Sequence, residues 1–268
     1  ITGIDIMGES RGVLPSTEWK RNTYKKPEQQ RWYSGETISL GIGQGYNNFT
    51  MLQVAHAMGT VANNGLKMKP HLVREVVDVE TKASTLIAKE PVGQLTLNPE
   101  NLEIIKKAMI GVNIEGTSAT SFIGAPYVSA GKTGTAQVFT VKQNEKYNAA
   151  TIDERMRDHA LYVAYAPADD PKVALAMVVE NAGFGAQNAA PIARRVFDFV
   201  IMGLYPSKED IEAVQKGQAT RPIGKPRPVA SVPWPPKANE LAAEEPIAAA
   251  SAAEKAALAQ KTAARAPR

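Results

Sequence analysis

The sequence predicts an α+β fold, an antiparallel sheet flanked by helices, over residues 1–206, with a Pro/Ala-rich tail over 207–268. Three observations lead there. Two runs rich in Tyr, Val, Leu and Ala, at 159–166 and 173–180, are joined only by the turn-forming Pro167-Ala-Asp-Asp-Pro-Lys172, and so short a link makes the pair antiparallel. Three other stretches carry apolar residues at helical spacing with start or stop signals. After residue 206 the composition changes, with Ala and Pro supplying 25 of the last 62 residues.

The elements follow in order. Thr50 opens a capping box with Gln53, because a threonine oxygen accepts the amide three residues on. Met51, Leu52, Ala55, Met58 and Ala62 recur at helical spacing, and Asn64-Gly65 stops the helix by accepting a left-handed turn. A second helix starts at the cap Asn98, with Pro99 at the first helical position where its missing amide costs nothing. Leu102, Ile105, Met109 and Val112 form its stripe and Gly116 ends it. Residues 127–139 read as a strand with Gly131 and Gly134 unusual inside it, 159–166 as a second, and 173–180 as a third, apolar enough for burial on both faces. A final helix, about 190–204, carries Ile192, Val196, Phe199, Val200 and Met202. No repeat is visible.

With 268 residues, 44% of them hydrophobic and 22% charged, the chain is long enough for a sizeable core. It has no cysteine, which excludes a disulfide scaffold, a Cys zinc site and a cysteine nucleophile. No apolar run approaches the length of a membrane span. Ile1 rather than Met stands first, so the chain is expected to be a piece of something longer. The pI near 9.1 would suggest nucleic acid. Yet residues 207–268 hold ten of the 31 Lys/Arg and seven of the 27 Asp/Glu, a net of +3, leaving +1 for residues 1–206. A basic face with interleaved aromatics is missing, so no nucleic-acid partner is expected. In the tail, Arg221-Pro-Ile-Gly-Lys-Pro-Arg-Pro228 and Pro233-Trp-Pro-Pro236 favour extended chain, and 240–265 is Ala-rich without the large side chains that would dock a helix. The tail reads as disordered, a tether or partner-binding segment.

The run Ser129-Ala-Gly-Lys-Thr-Gly-Thr-Ala-Gln-Val138 carries the chemistry. Glycine lets a ligand or another backbone come close. Thr133 and Thr135, two apart on a strand, share a face, and with Lys132 they suit a carboxylate: hydroxyls supply geometry and the ammonium supplies charge. A phosphate loop fails, because Pro126 stands where the motif needs its first Gly and a strand rather than a helix follows. Two readings remain at this point, a lysine guarding an exposed edge strand and the Lys-Thr-Gly element of penicillin-recognising serine enzymes. The three histidines, His56, His71 and His159, share no ligand spacing, so no metal is expected. Asp153-Glu-Arg-Met-Arg-Asp158 reads as a solvated face, and Gly41-x-Gly43-x-Gly45 as close backbone packing beside a cleft rather than a dinucleotide fingerprint.

Context decides. Gly41-Ile-Gly-Gln-Gly-Tyr46, Thr50-Met-Leu-Gln-Val-Ala-His-Ala57, Ala62-Asn-Asn-Gly65, Gly116-Thr-Ser-Ala119, Ala125-Pro-Tyr127 and Ala130-Gly-Lys-Thr-Gly-Thr-Ala-Gln-Val-Phe139 come in the order found in class B penicillin-binding proteins. Arg157-Asp-His-Ala160, Tyr165-Ala-Pro167 and Val178-Val-Glu-Asn-Ala-Gly183 resemble the elongation branch of that family. The resemblance covers about residues 1–205.

It implies a penicillin-binding transpeptidase fold of the serine β-lactamase kind, incomplete at its N-terminus, and a peptidoglycan D,D-transpeptidase. In this family a serine attacks a D-alanyl-D-alanine stem peptide, releases D-alanine and leaves an acyl-enzyme that a neighbouring amine resolves; β-lactams stall at the acyl stage. By the same resemblance Lys132 contributes charge, Thr133, Gly134 and Thr135 bind the substrate's terminal carboxylate, and the Thr135 amide is one oxyanion donor. No cofactor is implied. The implied partners are stem peptides, β-lactams and membrane proteins of the elongation complex. The implied location is the bacterial periplasm, with an inner-membrane anchor that this chain lacks.

The one Ser-x-x-Lys, Ser129 to Lys132, lies within the strand itself, where residues three apart face opposite sides, so it is read as coincidence. No Ser-x-Asn or Ser-x-Asp occurs. The nucleophile is therefore expected upstream of Ile1 and the chain alone is expected to be inactive. A D,D-carboxypeptidase on the same fold, or a non-catalytic module working through its tail, are the rival readings.

Overall fold

The computed structural model describes residues 1–138, 147–148, 151–218 and 220–232. Three short helices come first, α1 (Thr17–Thr23), α2 (Pro27–Gln30) and α3 (Ser34–Gly41), then α4 (Met51–Ala62). Two small antiparallel hairpin pairs follow, β1 (Leu66–Met68) with β4 (Pro91–Gln94), and β2 (Glu75–Val77) with β3 (Ser84–Leu86). Next are α5 (Pro99–Ile114), α6 (Ala119–Phe122), β5 (Ala130–Ala136), β6 (His159–Ala166), β7 (Val173–Val179), α7 (Gly185–Asn188), α8 (Ala190–Met202) and α9 (Lys208–Gln215).

The helix signals hold. Thr50 and Gln53 form the reciprocal capping box, and Asn64 and Gly65 both take positive φ, 54° and 88°. Asn98 accepts from the Asn101 amide at 3.1 Å ahead of Pro99. The stripe of α5 is shifted, however. Ile105 is exposed, and Lys106 takes its place, its ammonium donating to Ala62 O at 3.3 Å and Asn64 Oδ1 at 2.6 Å. A long amphipathic stem thus covers the gap between two helices.

The sheet has the order β5-β6-β7, antiparallel throughout. The expected strand at 127–139 shortens to β5, because Val128 gives its carbonyl to Ala168 N at 2.8 Å and the Tyr127 hydroxyl turns to Asp198 Oδ1 at 2.7 Å; residue 139 lies outside the described residues. The strand buried on both faces is β6 rather than β7. Ala160, Tyr162, Ala164, Tyr165 and Ala166 have no exposed surface, whereas β7 is half-buried because β6 flanks it on one side only. On one face of β6, Ala160, Tyr162, Ala164 and Ala166 pack with Phe122, Ala189, Ala190, Ala193 and Phe197. On the other, Tyr165 and Ala130 pack with Ala62, Met58, Met109 and Ile110. Alanines on both sides let α8 come close, and the rings of Phe122, Tyr162 and Phe197 fill what remains, with centroids 6.3 and 6.5 Å apart.

The final helix buries a different face from the one its large residues predict. Ile192, Val196, Phe199, Val200 and Met202 are partly exposed, whereas Ala190, Ala193, Arg194 and Phe197 are buried. Arg194 holds an interior place through an ion pair and two carbonyl contacts. Its Nε binds both Asp198 oxygens at 2.9 and 3.0 Å, and Nη1 reaches the carbonyls of Ser121 and Ile123. A size-based stripe cannot anticipate a satisfied guanidinium.

Beyond residue 206 the described chain continues into α9. Ser207 caps α9, and Asp210, fully buried, takes a two-pronged bond from Arg195 at 2.9 and 2.6 Å. Asp210 also accepts from Ile223 N at 3.2 Å, and Ser207 Oγ donates to Ile223 O at 2.7 Å. These polar contacts tie Ser207, Asp210 and Ile223 to one another and to α8, and an Ala/Pro count does not weigh them. From Arg227 a separate unit begins, with a 3-10 turn at Val229–Ser231. The rest of the expected tail, 233–268, lies outside the described residues.

Candidate active site

Strand β5 has β6 on one edge and, among the described residues, no strand on the other. Its register sets Lys132 opposite Val163, Thr133 opposite Tyr162, Gly134 opposite Leu161 and Thr135 opposite Ala160. Alternation gives the two threonines one face and Lys132 and Gly134 the other. The edge reunites them. The Thr133 carbonyl accepts from Lys132 Nζ at 2.7 Å, and the Thr135 carbonyl accepts from Gln44 Nε2 at 3.4 Å. Carbonyls two residues apart point the same way, and both donors lie outside the sheet, so these groups face the edge that β6 does not use. The exposed lysine curls along that edge beside half-buried Thr133, Gly134 and Thr135.

A residue from outside the strand, on the α5–α6 turn, joins them. Thr117 Oγ1, in the turn between α5 and α6, lies 3.0 Å from Thr133 Oγ1. Spacing along the chain gives no sign of this pairing; the Gly116-Thr-Ser-Ala119 motif does mark the segment.

Next to the strand, on the face that Thr133 shares with Tyr162, sits a buried polar cluster. Asn113 Oδ1 accepts from Tyr162 Oη and Ser118 Oγ, each at 2.6 Å, and Asn113 Nδ2 donates to Ser129 Oγ at 2.9 Å. All four residues are buried. Burial, the dominant effect, pushes the Tyr162 phenol up to about 12, so it stays a neutral donor at physiological pH. Gly131 is required here, because a Cβ would lie 2.2 Å from Tyr162 Oη. Gly185 is required too: its Cβ would lie 2.1 Å from Leu161 O and 2.6 Å from Gly134 O, so the start of α7 rests on the β5–β6 backbone. In this cluster the Ser129 hydroxyl, first residue of the Ser-x-x-Lys spacing, accepts from Asn113.

The histidines are engaged separately. His56 Nε2 lies 2.7 Å from Met68 O, His71 Nδ1 lies 2.7 Å from Val73 O, and His159 Nδ1 accepts from Asn181 N at 2.9 Å.

A third cluster supports Gly41 to Tyr46. Lys20, 2% exposed, pairs with Glu36 and donates to Arg31 O at 2.7 Å, with the rings of Trp32, Tyr33 and Tyr46 5.1 to 6.0 Å from its ammonium. Tyr46 Oη donates to Glu36 Oε1 at 3.0 Å. The Lys20 hydrogen bond, ahead of the Tyr33 amide, holds the Glu36 carboxyl below its usual range; burial and then Glu36 push the Tyr46 phenol up to about 12.

Comparison with known proteins gives a consistent answer. The family described as "Penicillin binding protein transpeptidase domain" matches residues 1–198. Peptidoglycan D,D-transpeptidase MrdA of Haemophilus influenzae is 41% identical over 213 residues, covering 78% of this chain and 32% of that protein. MrdA of Escherichia coli K12 is 40% identical over 205 residues, covering 75% of this chain and 31% of that one. Among solved structures, Pseudomonas aeruginosa PBP2 in complex with WCK 5153 superposes with a TM-score of 0.58 at 36% identity, over 72% of this chain and 39% of that one. The Helicobacter pylori PBP2–MreC complex gives 0.57 at 26% identity, over 75% and 33%. The chain spans about a third of the length of the curated relatives it matches. With the α+β architecture and the matching segments in order, the chain belongs to the penicillin-binding protein transpeptidase family.

Proposed function

We propose that this chain supplies the Lys-Thr-Gly wall of a peptidoglycan D,D-transpeptidase of cell-wall elongation. The observation that carries the reading is the outer edge of β5, where the Lys132 ammonium lies on the Thr133 carbonyl, the Thr117 and Thr133 hydroxyls meet, and the Thr135 peptide faces outward. Thr133 and Thr135 hold the terminal carboxylate of a D-alanyl-D-alanine stem peptide, and Lys132 supplies the positive charge. The Thr135 N–H, which points to the same edge as its carbonyl, donates to the oxyanion that forms when a serine attacks the penultimate carbonyl.

The serine comes from a part of the complete protein outside this sequence. Its hydroxyl oxygen bonds to the carbonyl carbon, the peptide C–N bond breaks, and D-alanine leaves with the proton. An amine of a second stem peptide then displaces the serine and forms the cross-link. The same edge accepts β-lactams. The H. pylori relative is seen bound to MreC, which supports placement beside elongation-complex membrane proteins, on the periplasmic side of the inner membrane.

The test is covalent labelling of the complete protein with a fluorescent penicillin. Lys132→Ala should slow acylation roughly 10²–10³-fold with melting unchanged, since the strand's ladder is backbone. Unchanged labelling would remove β5 from the active site. This chain alone should not label; a covalent band that survives denaturation would place the nucleophile within it.

A further inference from the structure

The loop Gly41 to Tyr46 presents one side chain to the active edge. Gly43 and Gly45 take φ of 79° and 70°, so the chain doubles back on both sides of Gln44. The Gln44 backbone is held at each end: its N–H donates to Ser39 O at 3.0 Å, and its carbonyl accepts from Asn47 Nδ2 at 3.0 Å. Two residues on, Tyr46 is tied to Glu36, which Lys20 anchors from a buried position. The backbone of Gln44 thus has little freedom, and its Nε2 reaches Thr135 O at 3.4 Å, across 91 residues of sequence.

That carbonyl belongs to the residue whose N–H faces the cleft. In a strand the N–H and C=O of one residue point to the same edge, so holding the carbonyl holds the direction of the N–H. An unpaired edge strand has no ladder partner to do this. We propose that Gln44 is a positioning residue for the acyl-transfer reaction, an amide donor that fixes the Thr135 peptide so that its N–H meets the developing oxyanion. The inference rests on β5 being the transpeptidase wall. At 3.4 Å the bond is long, so its effect is on alignment more than on folding energy.

The experiment measures β-lactam acylation of the complete protein, resolved into the non-covalent binding constant and the acylation rate constant, with melting temperatures alongside. Gln44→Met keeps the volume and removes the donor; Gln44→Glu keeps the shape and replaces the donor with an acceptor that repels the Thr135 carbonyl. The acylation rate constant should fall roughly tenfold in Q44M and further in Q44E, with binding changed less than about twofold and melting within about 2 °C of the parent. A wild-type acylation rate in Q44E would overturn the proposal. So would losses that vanish once the rates are normalised to the folded fraction, because Gln44 would then only support the loop. Lys132→Ala separates the two ideas. If K132A also acylates normally, the assignment of β5 is what fails. If K132A is impaired while both Gln44 variants are normal, only this inference falls.

Discussion

Two polar groups of residues beside β5 are built from similar chemistry and behave in opposite ways. In the interior, Asn113, Ser118, Ser129 and Tyr162 are buried, and each polar group meets another at 2.6 to 2.9 Å. Along the outer edge of β5, Thr117, Thr133 and Lys132 stand open to solvent or half-open, with bonding capacity left over. A buried polar group without a partner is expensive, so the rear cluster has to be saturated. An exposed group can wait for a ligand at little cost, because water satisfies it meanwhile. The same hydroxyl and amide chemistry is a frame in one group and a receptor in the other, and the two groups adjoin, since Thr133 stands opposite Tyr162 in the sheet.

This contrast can be broken from either side, and removing Lys132 tests the receptor with the largest effect. Truncating the hub of the frame comes next. Asn113→Ala leaves the Tyr162 and Ser118 hydroxyls without their acceptor and should destabilise the domain by about 2–3 kcal/mol. Urea unfolding would read this as a lower midpoint at unchanged slope. A midpoint equal to the parent's would mean that the cluster frames nothing. Tyr162→Phe is milder, about 1 kcal/mol, because Ser118 still serves Asn113 Oδ1; its melting temperature should lie between those of the parent and N113A. The smallest effect concerns the anchor of the Gln44 loop. The Glu36 carboxyl is depressed in the folded state, so its contribution is fully present above the unfolded value and is lost as pH falls through the folded one. Emission from Trp19 and Trp32, which flank Lys20, should therefore change below about pH 4.5 and stay constant on the neutral side, and Glu36→Gln should abolish that acid transition.

What could be read from the sequence followed from local rules. The caps of α4 and α5 and the span of β6 depend on residues within a turn of one another, and they appear where spacing puts them. The misreadings each needed a partner distant in sequence. The buried face of α8 turns on Arg194 meeting the carbonyls of Ser121 and Ile123, more than 70 residues earlier. Thr117 joins the edge only because α5 delivers it to Thr133, and Gln44 only because two glycines fold its loop toward β5. The three helices before residue 42 and the two small strand pairs leave little trace in spacing, because they are short and many of their apolar residues stay in contact with water.

The clamp between Arg195 and Asp210 bears on how the gene is cut for expression. A stop codon after residue 206 would look safe by composition, yet it would strand a guanidinium whose side chain is only 12% exposed and strip the covering from α8. Removal of one member of a shielded ion pair is among the more damaging edits a protein can suffer. Plasmids ending beyond Pro226 keep the pair intact.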